Sequence, residues 1–117
     1  MDLTINVREV QGVSILDLKG RVVLGDESDM FDNRVEELVA AGKKKILLNM
    51  EHISKVDSTG LGKLAKCLAL TQDKGGDLKL LKVNKKVLEL LVYTVLVTKF
   101  DKVYDEETEA VSSFKKA

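Results

Sequence analysis

Proline is absent from this chain of 117 residues, cysteine and histidine occur once each, and no apolar run is long enough to cross a bilayer. Each shortage excludes something. With Cys67 alone there is no disulfide framework and no cysteine-rich zinc site, and with His52 alone most familiar catalytic triads are closed. The strongest apolar stretch, Val87 to Val97, is interrupted by Glu89, Tyr93 and Thr94 and falls short of the ~20 residues that a spanning helix requires. The opening Met1-Asp2-Leu3-Thr4 lacks the basic segment and apolar core of a secretory signal. A cytoplasmic protein without a membrane partner is expected. Lysine and arginine total 19, as do aspartate and glutamate, so no net field draws the chain to nucleic acid. The basic run Lys43-Lys44-Lys45 reads as a solvated turn. Neither a cofactor site nor a metal site is expected.

What the chain does contain is ordered alternation. Leu3, Ile5 and Val7 alternate with polar residues, Val13 to Lys19 follows as a second strand, and Gln11-Gly12 reads as the tight turn between them. Phe31, Val35, Leu38 and Val39 recur at helical spacing, with Ser28 or Asp29 as the expected cap and Gly42 as the stop. Ile46-Leu47-Leu48 reads as a short strand covered on both faces. Leu61, Leu64, Ala65 and Leu68 give a second amphipathic helix, ended by Gly75-Gly76, and Leu78 to Val83 gives another strand. Asn84 is placed to cap a third helix; a last short strand near Lys102-Val103-Tyr104 leads to a final helix favoured by Asp105, Glu106 and Glu107 at its positive end. The order β-β-α-β-α-β-α-β-α over residues 1–117 predicts one α/β domain. Its sheet is mixed and mostly parallel, opens with an N-terminal hairpin and is covered by about four helices.

The passage His52 to Gly62 lies between a buried strand and an amphipathic helix, where ligands and partners meet the free N–H groups of a helix start. Ser58 and Thr59 stand at that start. A phosphate on either hydroxyl would be favoured by the helix dipole. Gly60 and Gly62 each cost the helix about 1 kcal/mol relative to alanine, so they serve something other than helix stability. Two readings remain open from the residues alone. In one, the glycines admit a partner backbone close to the hydroxyls; in the other, Ser58 is an ordinary N-cap and the glycines serve tight helix–sheet packing.

Asp57-Ser58-Thr59-Gly60-Leu61-Gly62, after Ile-Leu-Leu-Asn and a short connection, resembles the signature of the STAS domain family, in particular its bacterial anti-sigma factor antagonists. Leu18 to Arg21, Gly75 to Leu80 and Asp105 to Val111 extend the resemblance over almost the whole chain. The resemblance implies a STAS-like domain that is a switch and not an enzyme. In its unmodified form it binds an anti-sigma factor that is also a serine kinase, which frees the sigma factor for transcription. Phosphorylation, implied at Ser58 with Thr59 a lesser candidate, releases it, and a serine phosphatase resets it. The implied partner-binding residues are Leu24, Gly25, Asp26, Glu27 and Ser28 together with Asp57, Ser58, Thr59, Gly60, Leu61 and Gly62. A monomer or weak dimer is expected. Two departures from the family pattern are visible: Leu90 to Lys99 lacks the glycine that usually breaks this region, which leaves the end of the third helix open, and the Val22 to Gly25 loop is unusually apolar.

Other candidates have plainer readings. Ser58 with His52 would make a small hydrolase, but a third catalytic member is missing. A scaffold module of a larger signalling assembly is the other alternative. Cys67 reads as a packing residue and Leu70 as packed under a neighbouring element. Gly60-x-Gly62 lacks the third glycine of a dinucleotide fingerprint.

Overall fold

The computed structural model describes residues 3–94, 99–100 and 103–114. Strand β1 (Leu3–Val10) and strand β2 (Val13–Val22) pair antiparallel around Gln11 and Gly12. Both turn residues have left-handed φ, 50° and 80°, as a two-residue hairpin turn matched to the sheet twist requires. Helix α1 (Asp26–Ala40), strand β3 (Lys45–Val56), helix α2 (Ser58–Asp73), strand β4 (Asp77–Leu81), helix α3 (Lys85–Tyr93), strand β5 (Val103–Tyr104) and helix α4 (Glu107–Ser113) follow.

The five strands lie side by side in chain order, and every neighbouring pair after the hairpin is parallel. Crossovers that step in one direction with right-handed connections all return over the same face. Accordingly α1, α2 and α3 share one face, where Phe31, Val35, Leu64, Leu68 and Leu91 meet Leu16, Leu18, Ile46, Leu48, Leu78 and Leu80. Among the described helices only α4 covers the other face, packing Ala110, Val111 and Phe114 on Val13, Ile15, Leu47 and Leu81. The contiguous run Ile46-Leu47-Leu48 is apolar because its side chains alternate between these two cores.

Several boundaries differ from the sequence reading. Strand β3 does not stop after Leu48 but continues to Val56, so His52, Ile53 and Ser54 are strand residues and not a loop. Within the extension only Met50, Ile53 and Val56 turn into the core, and shifts in the β2–β3 register between Asp17 and Lys19 and between Gly20 and Arg21 break its alternation. Helix α1 starts earlier than a Ser28 or Asp29 cap would place it. Its N-cap is Gly25, and Ser28 lies inside the first turn, buried, with its hydroxyl donating to the Gly25 carbonyl at 2.9 Å. Strand β4 ends at Leu81 and not Val83, since Lys82 adopts a left-handed φ of 56° and donates its N–H to the Tyr104 carbonyl at 2.7 Å. Helix α3 is capped by Asn84, whose side chain accepts from the Val87 N–H at 2.9 Å, and it closes at Thr94. Residues 95–98 and Lys102 fall outside the described residues. Leu70 is half-buried against the larger core and Cys67 is buried.

A candidate docking site at the start of helix α2

Strands β2 and β3 are parallel neighbours, with Val22 opposite Val56, so both deliver their following segments to one edge of the sheet. That places Leu24 beside Asp57. The Asp57 backbone is extended, with φ −99° and ψ −174°, and one carboxylate oxygen accepts the Gly60 N–H at 2.8 Å. The other accepts the Leu24 N–H at 2.9 Å. Asp57 therefore caps α2 and clamps the β2–α1 loop to it. The ordinary N-cap role considered for Ser58 belongs to Asp57 instead, because only the residue before the helix holds the extended backbone from which a side chain reaches back to the N–H two or three positions on. The N–H groups of Leu24 and, next, Gly60 favour the carboxylate form and hold the Asp57 carboxyl below its usual range.

Ser58 occupies the first helical position, exposed, with its hydroxyl unused by the cap. Thr59 is half-buried and Leu61 is buried in the main core. The two glycines separate. A Cβ on Gly60 would land on the Val22 carbonyl oxygen and lie 2.9 Å from a Val56 methyl, whereas a Cβ on Gly62 would meet nothing within 4 Å. Tight packing explains Gly60. Gly62 faces open space beside Ser58 on the exposed side of the turn.

On the companion loop, Leu24 is 75% exposed, an apolar side chain in water on a loop whose backbone is clamped to Asp57 through the Leu24 N–H. Gly25 is exposed with φ 132°, a left-handed value that only glycine adopts without strain. Asp26 and Glu27 form the first residues of α1. The structure thus brings Leu24, Gly25, Asp57, Ser58, Thr59 and Gly62 to one surface, while the side chains of Ser28 and Leu61 and the Cα of Gly60 serve the interior.

His52 lies elsewhere. It sits exposed within β3, opposite Lys19, with its ring 3.8 Å from Glu51. The strand residues separating it from the helix start span roughly 15 Å at ~3.3 Å each, beyond the reach of an imidazole. Among the described residues no group of three or more acidic, histidine or cysteine side chains is placed to hold a metal ion, and no helix is long and apolar enough to cross a membrane.

One charged centre was missed in the sequence. Asp32 is buried between α1 and α2 and accepts hydrogen bonds from Lys63 at 3.0 Å and Lys66 at 2.9 Å. Burial opposes its charge, but the bonds from Lys66 and Lys63 outweigh that and hold its carboxyl below the usual range. Its spacing from Val35 and Val39, on the inward stripe of α1, was the available signal. Cys67 stands 3.8 Å from the same carboxylate, and burial, reinforced by Asp32, pushes its thiol up to about 12. This is a packing thiol, protonated at neutral pH.

Comparison with known proteins agrees with this geometry. The STAS domain family matches residues 4–110. An anti-sigma F factor antagonist of Paenibacillus polymyxa is 30% identical over 113 residues, 96% of this chain and 95% of that protein. The crystal structure of a putative anti-sigma factor antagonist from Thermotoga maritima superposes with a TM-score of 0.83 at 26% identity, covering 95% of this chain and 94% of that one. The Bacillus cell fate determinant SpoIIAA in its phosphorylated form shares the fold, with a TM-score of 0.73 at 16% identity over 94% of this chain and 98% of its own. With the family matched along nearly its full length and an antagonist as a relative of equal extent, this chain belongs to the STAS domain family, among its anti-sigma factor antagonists.

Proposed function

We propose that the unmodified protein docks on an anti-sigma factor that is also a serine kinase, through the surface formed by Leu24, Gly25 and the outer side of the first α2 turn. The kinase transfers a phosphoryl group to the Ser58 hydroxyl, the complex dissociates, and a serine phosphatase restores the binding form. Sigma-factor-dependent transcription follows the unmodified fraction. The observation that carries this reading is the division of labour at Asp57 and Ser58: the aspartate caps the helix, so the exposed serine hydroxyl is available to chemistry without cost to the fold.

Electrostatics supplies the release. A phosphate adds a charge of about −1.5 to −2 next to the already ionised Asp57. At the positive end of α2 the free protein tolerates it, since N–H donors and the helix dipole favour an anion there. In a closed interface the same charge must be stripped of water against a partner shaped for a neutral hydroxyl. A loss above ~3 kcal/mol weakens binding by more than about a hundredfold, enough for a switch. A protein of this fold is known in a phosphorylated form, which supports the reading. Incubation with ATP, magnesium and the anti-sigma kinases of the source organism, followed by mass spectrometry, tests it. Phosphate on Ser58, absent in Ser58→Ala, is the expected result; modification confined to other residues would remove Ser58 from the mechanism.

A further inference from the structure

Strand β1 is a sheet edge of eight residues, and no described strand pairs with its outer side. Exposed edges are usually blunted by charged side chains, by proline, by a bulge or by extreme shortness. The opposite edge, β5, is only two residues long. Strand β1 contains no proline, its pairing with β2 runs without a register shift from Leu3 to Val10, and its charges are confined to Arg8 and Glu9, which pair within the chain with Asp17 and Glu107 and with Lys43. Ile5 and Val7 lie against the rim of the larger core only partly covered.

The hairpin fixes which backbone groups face outward. A two-residue turn closes on a hydrogen-bonded pair, here Val10 with Val13, and hydrogen-bonded and non-hydrogen-bonded pairs then alternate along the ladder. Thr4, Asn6 and Arg8 therefore bond to β2, while Leu3, Ile5, Val7 and Glu9 direct their N–H and C=O groups away from the sheet. The outward set is symmetric about Asn6.

We propose that β1 pairs antiparallel with β1 of a second copy of this chain, on a twofold axis at Asn6. In that register Ile5 faces Val7 of the second copy and Leu3 faces Glu9, so every outward residue gains a bonded partner and the half-covered Ile5 and Val7 cover each other. Arg8 lies opposite Thr4 and meets no like charge; its guanidinium is already bound to Asp17 and Glu107 on the α4 side. The occupant is a second copy because the match is with the strand's own reverse sequence and no other segment is required. Since the two copies run in opposite directions, their α2 starts lie at opposite ends of the joined sheet, and both docking sites stay open. Ser58 takes no part in this pairing.

Asn6 meets Asn6 of the second copy as a non-hydrogen-bonded pair, with Cα atoms ~4.5 Å apart, inside the range a disulfide spans. Asn6→Cys should oxidise to a covalent dimer, and Thr4→Cys, whose copies lie far apart in this register, should not. Sedimentation velocity should show a mass that rises with concentration in the unaltered chain and stays that of a monomer in Val7→Pro, which removes an outward N–H and no bond to β2. A concentration-independent monomer, or equal cross-linking of the two cysteine variants, would overturn the proposal, and an added extended peptide that pairs with β1 in its place would assign the edge to a different occupant.

Discussion

The first turn of α2 has an inner and an outer side, and residues of the same type do opposite work on them. Inside, Gly60 lies under the Val22 carbonyl and Leu61 is in the core, with Asp57 fixing the turn to the neighbouring loop. Outside, Ser58 is exposed and a Cβ on Gly62 would meet nothing within 4 Å. A single motif of six residues thus contains both the scaffold and the proposed docking surface. Substitutions inside should alter stability and substitutions outside should alter binding.

The largest stability effect should come from Gly60→Ala. Its Cβ overlaps backbone that cannot retreat without parting β2 from α2, and overpacking of this kind costs about 3 kcal/mol. A thermal melt should fall by roughly 10 °C; an unchanged melt would erase the distinction between the two glycines. Asp57→Ala removes both the cap and the clamp on Leu24, and should cost about 1–2 kcal/mol by denaturant unfolding. Its acid dependence sharpens the point. Because the folded-state pKa of Asp57 is lowered, its contribution is present above the unfolded value of ~3.9 and is lost as pH falls through the lower folded value. The acid limb of the stability curve should therefore be shallower in Asp57→Asn. Gly62→Ala should have the smallest effect on the fold and the opposite sign, a gain of roughly 0.5–1 kcal/mol, as expected for alanine in an open helical position. The same variant should weaken partner binding if the partner backbone approaches there, as calorimetry would show.

Much of this was legible in the chain. The hairpin, the strand run Ile46-Leu47-Leu48, the Asn84 cap and the order of elements follow from periodicity and turn chemistry. The tail of β3 was not, because Glu51, His52, Ser54 and Lys55 are exposed and carry the composition of a loop. Nor could the sequence choose a cap from Asp57-Ser58-Thr59, three consecutive residues that all cap well. Tertiary pairing decides it, since the second carboxylate oxygen of Asp57 is bound to a loop 33 residues away. Gly60 and Gly62 are equivalent on paper for the same reason: Val22 and Val56, placed against Gly60 by the sheet, distinguish them. Asp32 was missed because its partners lie on a different helix.

Titrating the anti-sigma kinase with unmodified protein and with protein phosphorylated at Ser58, each checked by a thermal melt, tests the central claim most directly. The account predicts a dissociation constant more than about a hundredfold higher for the phosphorylated form, with a melting temperature within a few degrees of the unmodified one. Equal affinity for the two forms, or a loss of binding that follows a loss of folding, would contradict it.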